Sequence, residues 1–352
     1  MTKYCLCLFS IWLITAACGK NKINPVTINP PPDTSLQKMM PFPMGAAVSA
    51  SLLQNNTKYN SVVVKEYNSI TPENAMKFGS VHSSQNAFNF TDADYIVNFA
   101  QLNNKRIHGH TLIWHQSLPN WVANFAGDSA AWENILKTHI QTVVAHFKGK
   151  LLSWDVVNEA FEDNGTLRNS IWLQKLGSDY IARCFKYAHE ADPAALLFYN
   201  DYGNEYNAAK RIAISNMLSA FKTRGIPVDG IGMQFHTRYN QTDANLAAAI
   251  AAAAATGLKV HISELDIALN PDNIQALTLT PTLAEQQSEK YRFIVKTYYS
   301  LPANQQYGIT TWNVGDADSW IPGTYKRSDW PLPFDVNYAR KPAYYGILAG
   351  VK

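Results

Sequence analysis

Apolar and polar positions along the chain repeat one unit eight times. Short runs rich in β-branched and aromatic residues, at 42–48, 67–71, 106–113, 151–157, 195–200, 230–235, 259–263 and 308–312, predict strands. Longer stretches with helical spacing follow each one, at 50–66, 92–104, 129–147, 170–190, 208–224, 243–256, 283–300 and 340–350. Strand and helix in strict alternation predict an α/β fold with a parallel sheet. Eight units in about 315 residues fit one (β/α)8 TIM barrel. The alanine-rich stretch from Ala247 to Ala255 is read as a helix with a small packing face, since alanine is the best helix former.

The first 37 residues break this rhythm. Lys3 precedes an apolar run over 4–14, and Thr15-Ala16-Ala17 leads into Cys18. A basic start, a short hydrophobic segment and small residues form a signal-peptide pattern over 1–17, too short for a comfortable membrane span. The small residues before Cys18 resemble a bacterial lipobox. That resemblance implies cleavage before Cys18 and lipid attachment to its sulfur. An ordinary secretory signal with an incidental cysteine is the alternative. Either way the protein is expected to be exported, as an outer-membrane lipoprotein on the periplasmic or cell-surface side or else as a secreted protein. Residues 18–37, rich in Asn, Lys and Pro, read as an extended tether. Residues 38–352 form the expected catalytic domain, with order beginning near Pro41.

Composition narrows the partners. A net charge of +3 over 352 residues implies no broad attraction to nucleic acid or to a lipid surface. Membrane contact is therefore expected through the anchor alone. Of four cysteines only Cys184 lies in the body of the chain, so no disulfide framework is expected there, and Cys184 reads as a small buried hydrophobe. The 9 Trp and 18 Tyr matter more. Most should be core, but an indole beside polar motif residues offers a flat face for the C–H face of a sugar.

Polar motifs recur where the predicted strands end, which in a barrel of this kind is where chemistry sits. They are Glu73-Asn74 with Lys77, His108-Gly109-His110 with Trp114 and His115, Asn158-Glu159, Asn200-Asp201-Tyr202, Gln234-Phe235-His236, Glu264 with Asp266, and Trp312 with Asp316 and Trp320. Two of these strands end alike: Trp154-Asp155-Val156-Val157-Asn158-Glu159 and Val260-His261-Ile262-Ser263-Glu264. A carboxylate at the end of a buried strand is costly to desolvate without a use. Two such glutamates suggest a paired acid and base of the kind that cleaves a glycosidic bond, one carboxyl protonated and the other ionised. Glu264 is expected to stay ionised, with histidines and Asn158 donating hydrogen bonds to it.

Together these stretches resemble the motif set of family 10 of the glycoside hydrolases, the endo-β-1,4-xylanases, from about Pro41 to Lys352. The resemblance implies retention of configuration, with Glu159 as acid/base and Glu264 as nucleophile about 5–5.5 Å apart. It also implies that Asn158 bonds the sugar 2-OH, that His236 contacts the nucleophile, that Asp266 orients His236, and that Gln234 assists at the same place. Glu73, Asn74 and Lys77 would grip sugars on the non-reducing side. His110 and Trp114 would wall the cleavage subsite, Trp312 and Trp320 would supply its floor and lid, and Tyr202 would face the leaving side. The substrate implied is xylan or xylo-oligosaccharide, taken by a monomer without cofactor or metal. Asn313 and Gly203 depart from the family pattern, which often has Gly and Asn there.

Two other readings explain less. A metal-dependent barrel hydrolase would use His108 and His110, but leaves Asn158-Glu159 without a role. A non-catalytic glycan-binding lipoprotein suits the aromatics and the tether, but not two strand-end glutamates.

Overall fold

The computed structural model describes residues 34–352. The signal peptide, Cys18 and most of the expected tether lie outside the described residues. Nine strands are present: β1 (Met44–Val48), β2 (Ser69–Pro72), β3 (Arg106–Gly109), β4 (Ser153–Asn158), β5 (Leu196–Asp201), β6 (Gly230–Met233), β7 (His236–Arg238), β8 (Lys259–Ala268) and β9 (Gln306–Thr311). All pairings are parallel. The neighbours run β1–β2–β3–β4–β5–β6–β8–β9, and β9 returns to β1 through Met44 opposite Ile309 and Gly45 opposite Thr310. This is a closed eight-stranded (β/α)8 barrel. The short β7 lies outside the ring and pairs only with the end of β8, His236 opposite Asp266.

The strands are buried almost throughout, as expected when side chains fill the barrel on one face and helices cover the other. Part of the filling is polar. Ser153, between the ring of His108 (2.6 Å) and the hydroxyl of Tyr307, is fully enclosed, and His261 meets Thr310 at 2.8 Å. Buried polar groups of this kind persist because each finds a partner.

Several boundaries differ from those expected. The third predicted strand stops at Gly109, although Leu112 and Ile113 still donate to the carbonyls of Asp155 and Val156. The sixth breaks after Met233, because Phe235 takes a positive φ of 60° that no strand continues through. The seventh runs five residues further than expected, to Ala268, so Glu264 and Asp266 lie within β8 rather than beyond it. The 50–66 helix divides at Asn56, whose side chain accepts from the amide of Tyr59 and starts a new helix, Thr57–Glu66. The 170–190 helix divides at Gly177, where φ is +71°.

Packed structure begins earlier than the sequence suggests. Leu36 is fully buried, its amide bonds Glu66 at 3.0 Å, and Arg340 holds the carbonyl of Thr34. Residues 34–37 therefore belong to the folded body rather than to a tether ending at 37.

Candidate active site

The C-terminal ends of the strands open into a cleft of about 1030 Å³ that holds every predicted substrate-contacting residue. Two carboxyls sit at its centre in unlike surroundings. Glu264 projects from β8, buried, with one oxygen accepting from Asn200 at 2.7 Å and the other facing His236 Nε2 at 3.2 Å. His236 Nδ1 in turn meets Asp266 at 2.8 Å. Burial alone would discharge His236, but the carboxylates of Asp266 and Glu264 hold its pKa well above the ordinary imidazole value. Burial likewise pushes the Glu264 carboxyl up. The hydrogen bond from His236 and the nearby charges of His110 and His236 outweigh it, and Glu264 ends below the usual glutamate range.

Glu159 follows β4 with a positive φ of 59°, which turns it out of the strand and into the cleft. Its carboxyl accepts from Trp114 Nε1 at 2.7 Å, from Gln234 at 3.0 Å and from Asn158 at 3.2 Å. His115 lies 3.8 Å away, and burial, helped by Arg168 and Lys210, holds its pKa down and favours the uncharged ring. The two carboxyls are joined by a short chain of amides: Asn158 donates to Glu159 and accepts from Asn200, which sits near Glu264 as well. One carboxylate thus faces a cation and the other faces neutral donors. That asymmetry is what acid/base division between two glutamates requires.

Residues 34–350 match the model of Glycosyl hydrolase family 10. The chain belongs to glycosyl hydrolase family 10. It is 40% identical over 335 residues to Endo-beta-1,4-xylanase Xyn10C of Cellvibrio japonicus, covering 87% of this chain and 55% of that one. It spans 55%, 30% and 27% of the lengths of the first three curated relatives. Native xylanase 10B from Thermotoga maritima superposes with a TM-score of 0.84 at 37% identity, covering 89% of this chain and 97% of that one. A mutant of Xylanase10C from Cellvibrio japonicus, solved in complex with xylopentaose, gives 0.86 at 38% identity, covering 90% and 69%.

Within the family 10 cleft, most predicted residues stand as neighbours. Lys77 bonds Asn74 at 2.8 Å and lies 5.1 Å from the ring of Trp114 and 6.0 Å from that of Trp312. Burial lowers the Lys77 pKa, opposed by the charges of Glu264, Glu73 and Glu159. His110 bonds Asp155 at 2.9 Å and packs edge-on to Trp312. Trp320 bonds Asp266 at 2.8 Å and tilts over His236.

Two expected contacts are different. Asn158 gives its hydrogen bond to Glu159, not to Glu264; the donor on Glu264 is Asn200. Gln234 likewise serves Glu159 rather than the Glu264–His236 pair. The kinks at Glu159 and Phe235 explain both, since a left-handed residue at a strand end abolishes simple alternation. Asn313 occupies a φ of +83°, a conformation asparagine tolerates better than most residues, and its side chain accepts from the backbone of Trp320 at 3.3 Å. Gly203 sits at φ +74°, and a Cβ there would press on the side chains of Asn207 (3.2 Å) and Asp163 (3.3 Å).

Several supporting residues carry no signal in the strand-end pattern. Arg168 donates to the backbone carbonyl of Glu159 at 2.9 Å and to the hydroxyl of Tyr202 at 2.7 Å. Buried Lys210 pairs Asp201 at 2.8 Å and sits 3.6 Å from the centroid of the Tyr202 ring. Both lie on segments read as loop or helix, so only three-dimensional proximity shows them. His108 spends its ring nitrogens on Ser153 and Asp155, away from the cleft.

Proposed function

We propose that this chain is a retaining endo-β-1,4-xylanase. The observation that carries the reading is the pair of glutamates in unlike surroundings at the centre of a family 10 cleft. Glu264, kept ionised by protonated His236, attacks the anomeric carbon. Glu159 gives its proton to the leaving glycosidic oxygen, and a glycosyl ester forms on Glu264. Glu159, now a carboxylate, takes a proton from water, which attacks the same carbon and frees Glu264. Two inversions yield net retention. Trp114 and Gln234 hold the Glu159 carboxyl through both steps. The names of the relatives and the xylopentaose complex support xylan as the substrate.

Recognition rests on hydrogen bonds and stacking, as suits a neutral polymer. Glu73, Asn74 and Lys77 take the non-reducing side, Trp312 and Trp320 the floor and lid, and Tyr202 the leaving side. His110, held by Asp155, and Asn158 contact the sugar being cleaved. Asp266 orients His236. Proton NMR of a linear xylo-oligosaccharide digest tests the reading. The β-anomer should appear first; first appearance of the α-anomer, or no cleavage, contradicts it. In the metal-hydrolase alternative His108 would be a ligand, but its two ring nitrogens face Ser153 and Asp155 inside the barrel.

We further propose export as a monomer, with residues 1–17 removed and Cys18 lipidated, on the sequence pattern alone. Cys18→Ser should move the protein from the membrane fraction to the soluble fraction. An unchanged distribution contradicts the anchor.

A further inference from the structure

The cations that line the cleft divide unequally. Lys77 lies in the field of Glu73, Glu159 and Glu264. Arg168 pairs with Glu162 at 3.2 Å, and Arg327 with Asp329 at 3.1 Å. Arg238, the last residue of β7, lines the same cleft and is exposed, yet its guanidinium has no carboxylate partner among the described residues. It is nevertheless oriented. It lies 5.5 Å from the centroid of the Tyr206 ring, and Tyr206 is fixed by hydrogen bonds from its hydroxyl to the His236 carbonyl (3.0 Å) and to Thr237 (3.2 Å). Around the barrel, β6 and β7 stand across from the β2 loop that carries Glu73, Asn74 and Lys77, so Arg238 belongs to the Tyr202 end of the cleft.

A neutral xylose backbone offers such a charge hydroxyl acceptors but no counter-charge. A guanidinium is a planar fork matched to a carboxylate, and a solvated one held on an aromatic ledge loses little freedom on pairing. We propose that Arg238, braced on Tyr206, reads a carboxylate-bearing branch, a uronic acid substituent of xylan, on the leaving side of the cut. This rests on the xylanase reading above. The exposure of Arg238 sets the scale: a rim charge acts on substrate capture and is screened by salt.

The test compares uronic-acid-branched xylan with the same polymer after its carboxyls have been reduced to alcohols, at low and high salt. The native enzyme should favour the charged polymer in kcat/KM by about threefold to fivefold at low salt, with the preference shrinking at high salt. Arg238→Gln should bring the two polymers to equal values at both salt levels, and Arg238→Lys should retain part of the difference. Equal treatment of both polymers by the native enzyme, or an undiminished preference in Arg238→Gln, overturns the proposal. If the native enzyme releases sugar from neither polymer, the xylanase reading itself falls and takes this proposal with it.

Discussion

Glu264 keeps its charge at a buried position because His236 carries a proton beside it, and His236 keeps that proton because Asp266 stands behind it. Removing the imidazole in His236→Asn takes away the hydrogen bond and the cation that lower the Glu264 pKa, while burial remains. The acidic limb of kcat/KM, which reports ionisation of Glu264, should move to higher pH. A limb that stays in place would mean that His236 does not set this ionisation. Glu159 calls for a different probe, because its donors are neutral. Glu159→Ala should slow substrates with poor leaving groups by orders of magnitude more than activated aryl glycosides, since only the former need a proton. Equal losses would count against it as the acid. The two glutamates were legible in the sequence because a carboxylate closing an apolar strand is conspicuous. The partners of Asn158 and Gln234 were not, because they depend on left-handed backbone at Glu159 and Phe235 that residue type does not announce. Glu205 was not legible either. It is fully buried in the cleft wall, its carboxyl oxygens have no protein partner among the described residues, and burial pushes its pKa up to about 7. A carboxyl raised on folding costs stability as pH climbs from its unfolded value toward 7. Glu205→Gln should therefore raise the melting temperature more at pH 8 than at pH 5; a pH-independent change would contradict the assigned cause.

At the scale of elements, hydrophobic periodicity located all eight barrel strands and most of the covering helices, because each carries a continuous buried face. It missed four short helices: Leu36–Met39, Phe78–Val81, Asn120–Ala123 and Trp320–Tyr325. Four to six residues are too few to show a period, and Trp320–Tyr325 owes its place to Ser319 capping Ile321 and to Asn313 accepting from Trp320. It also merged helices that Asn56 and Gly177 divide. Capping supplies a testable increment in the longer helices. The Pro281–Tyr299 helix, which covers the barrel beside β8, begins with Thr280 accepting from Leu283 at 3.2 Å and proline in its first turn. Thr280→Ala should cost about 1 kcal/mol in denaturant unfolding without altering catalytic constants. A loss of activity at unchanged stability would place this cap in the site instead.

For the molecule as a whole, the barrel closes where its first and last strands meet, and a buried carboxylate ties the same region together from outside. Glu66 accepts from the amide of Leu36 and the hydroxyl of Tyr344, each at 3.0 Å, and from Arg340 at 2.6 Å, joining residues more than 270 positions apart. Glu66→Ala would orphan a buried amide and a hydroxyl and take the carboxylate partner from Arg340, with an expected cost of about 2–4 kcal/mol in denaturant unfolding; an unchanged midpoint would contradict the strap. The order and closure of the strands were legible because parallel alternation of this length has one common solution. This strap was not, since nothing in the local sequence links Glu66 to Arg340. Retention by two inversions requires Glu264 to form a covalent bond to the sugar. An activated 2-deoxy-2-fluoro-xylobioside, which accumulates the ester by slowing its hydrolysis, followed by peptide mass mapping, tests that step most directly. The predicted result is a single fluoroxylobiosyl adduct on Glu264, reached with time-dependent loss of activity. Inactivation with the label on any other residue, or turnover without any adduct, would contradict it.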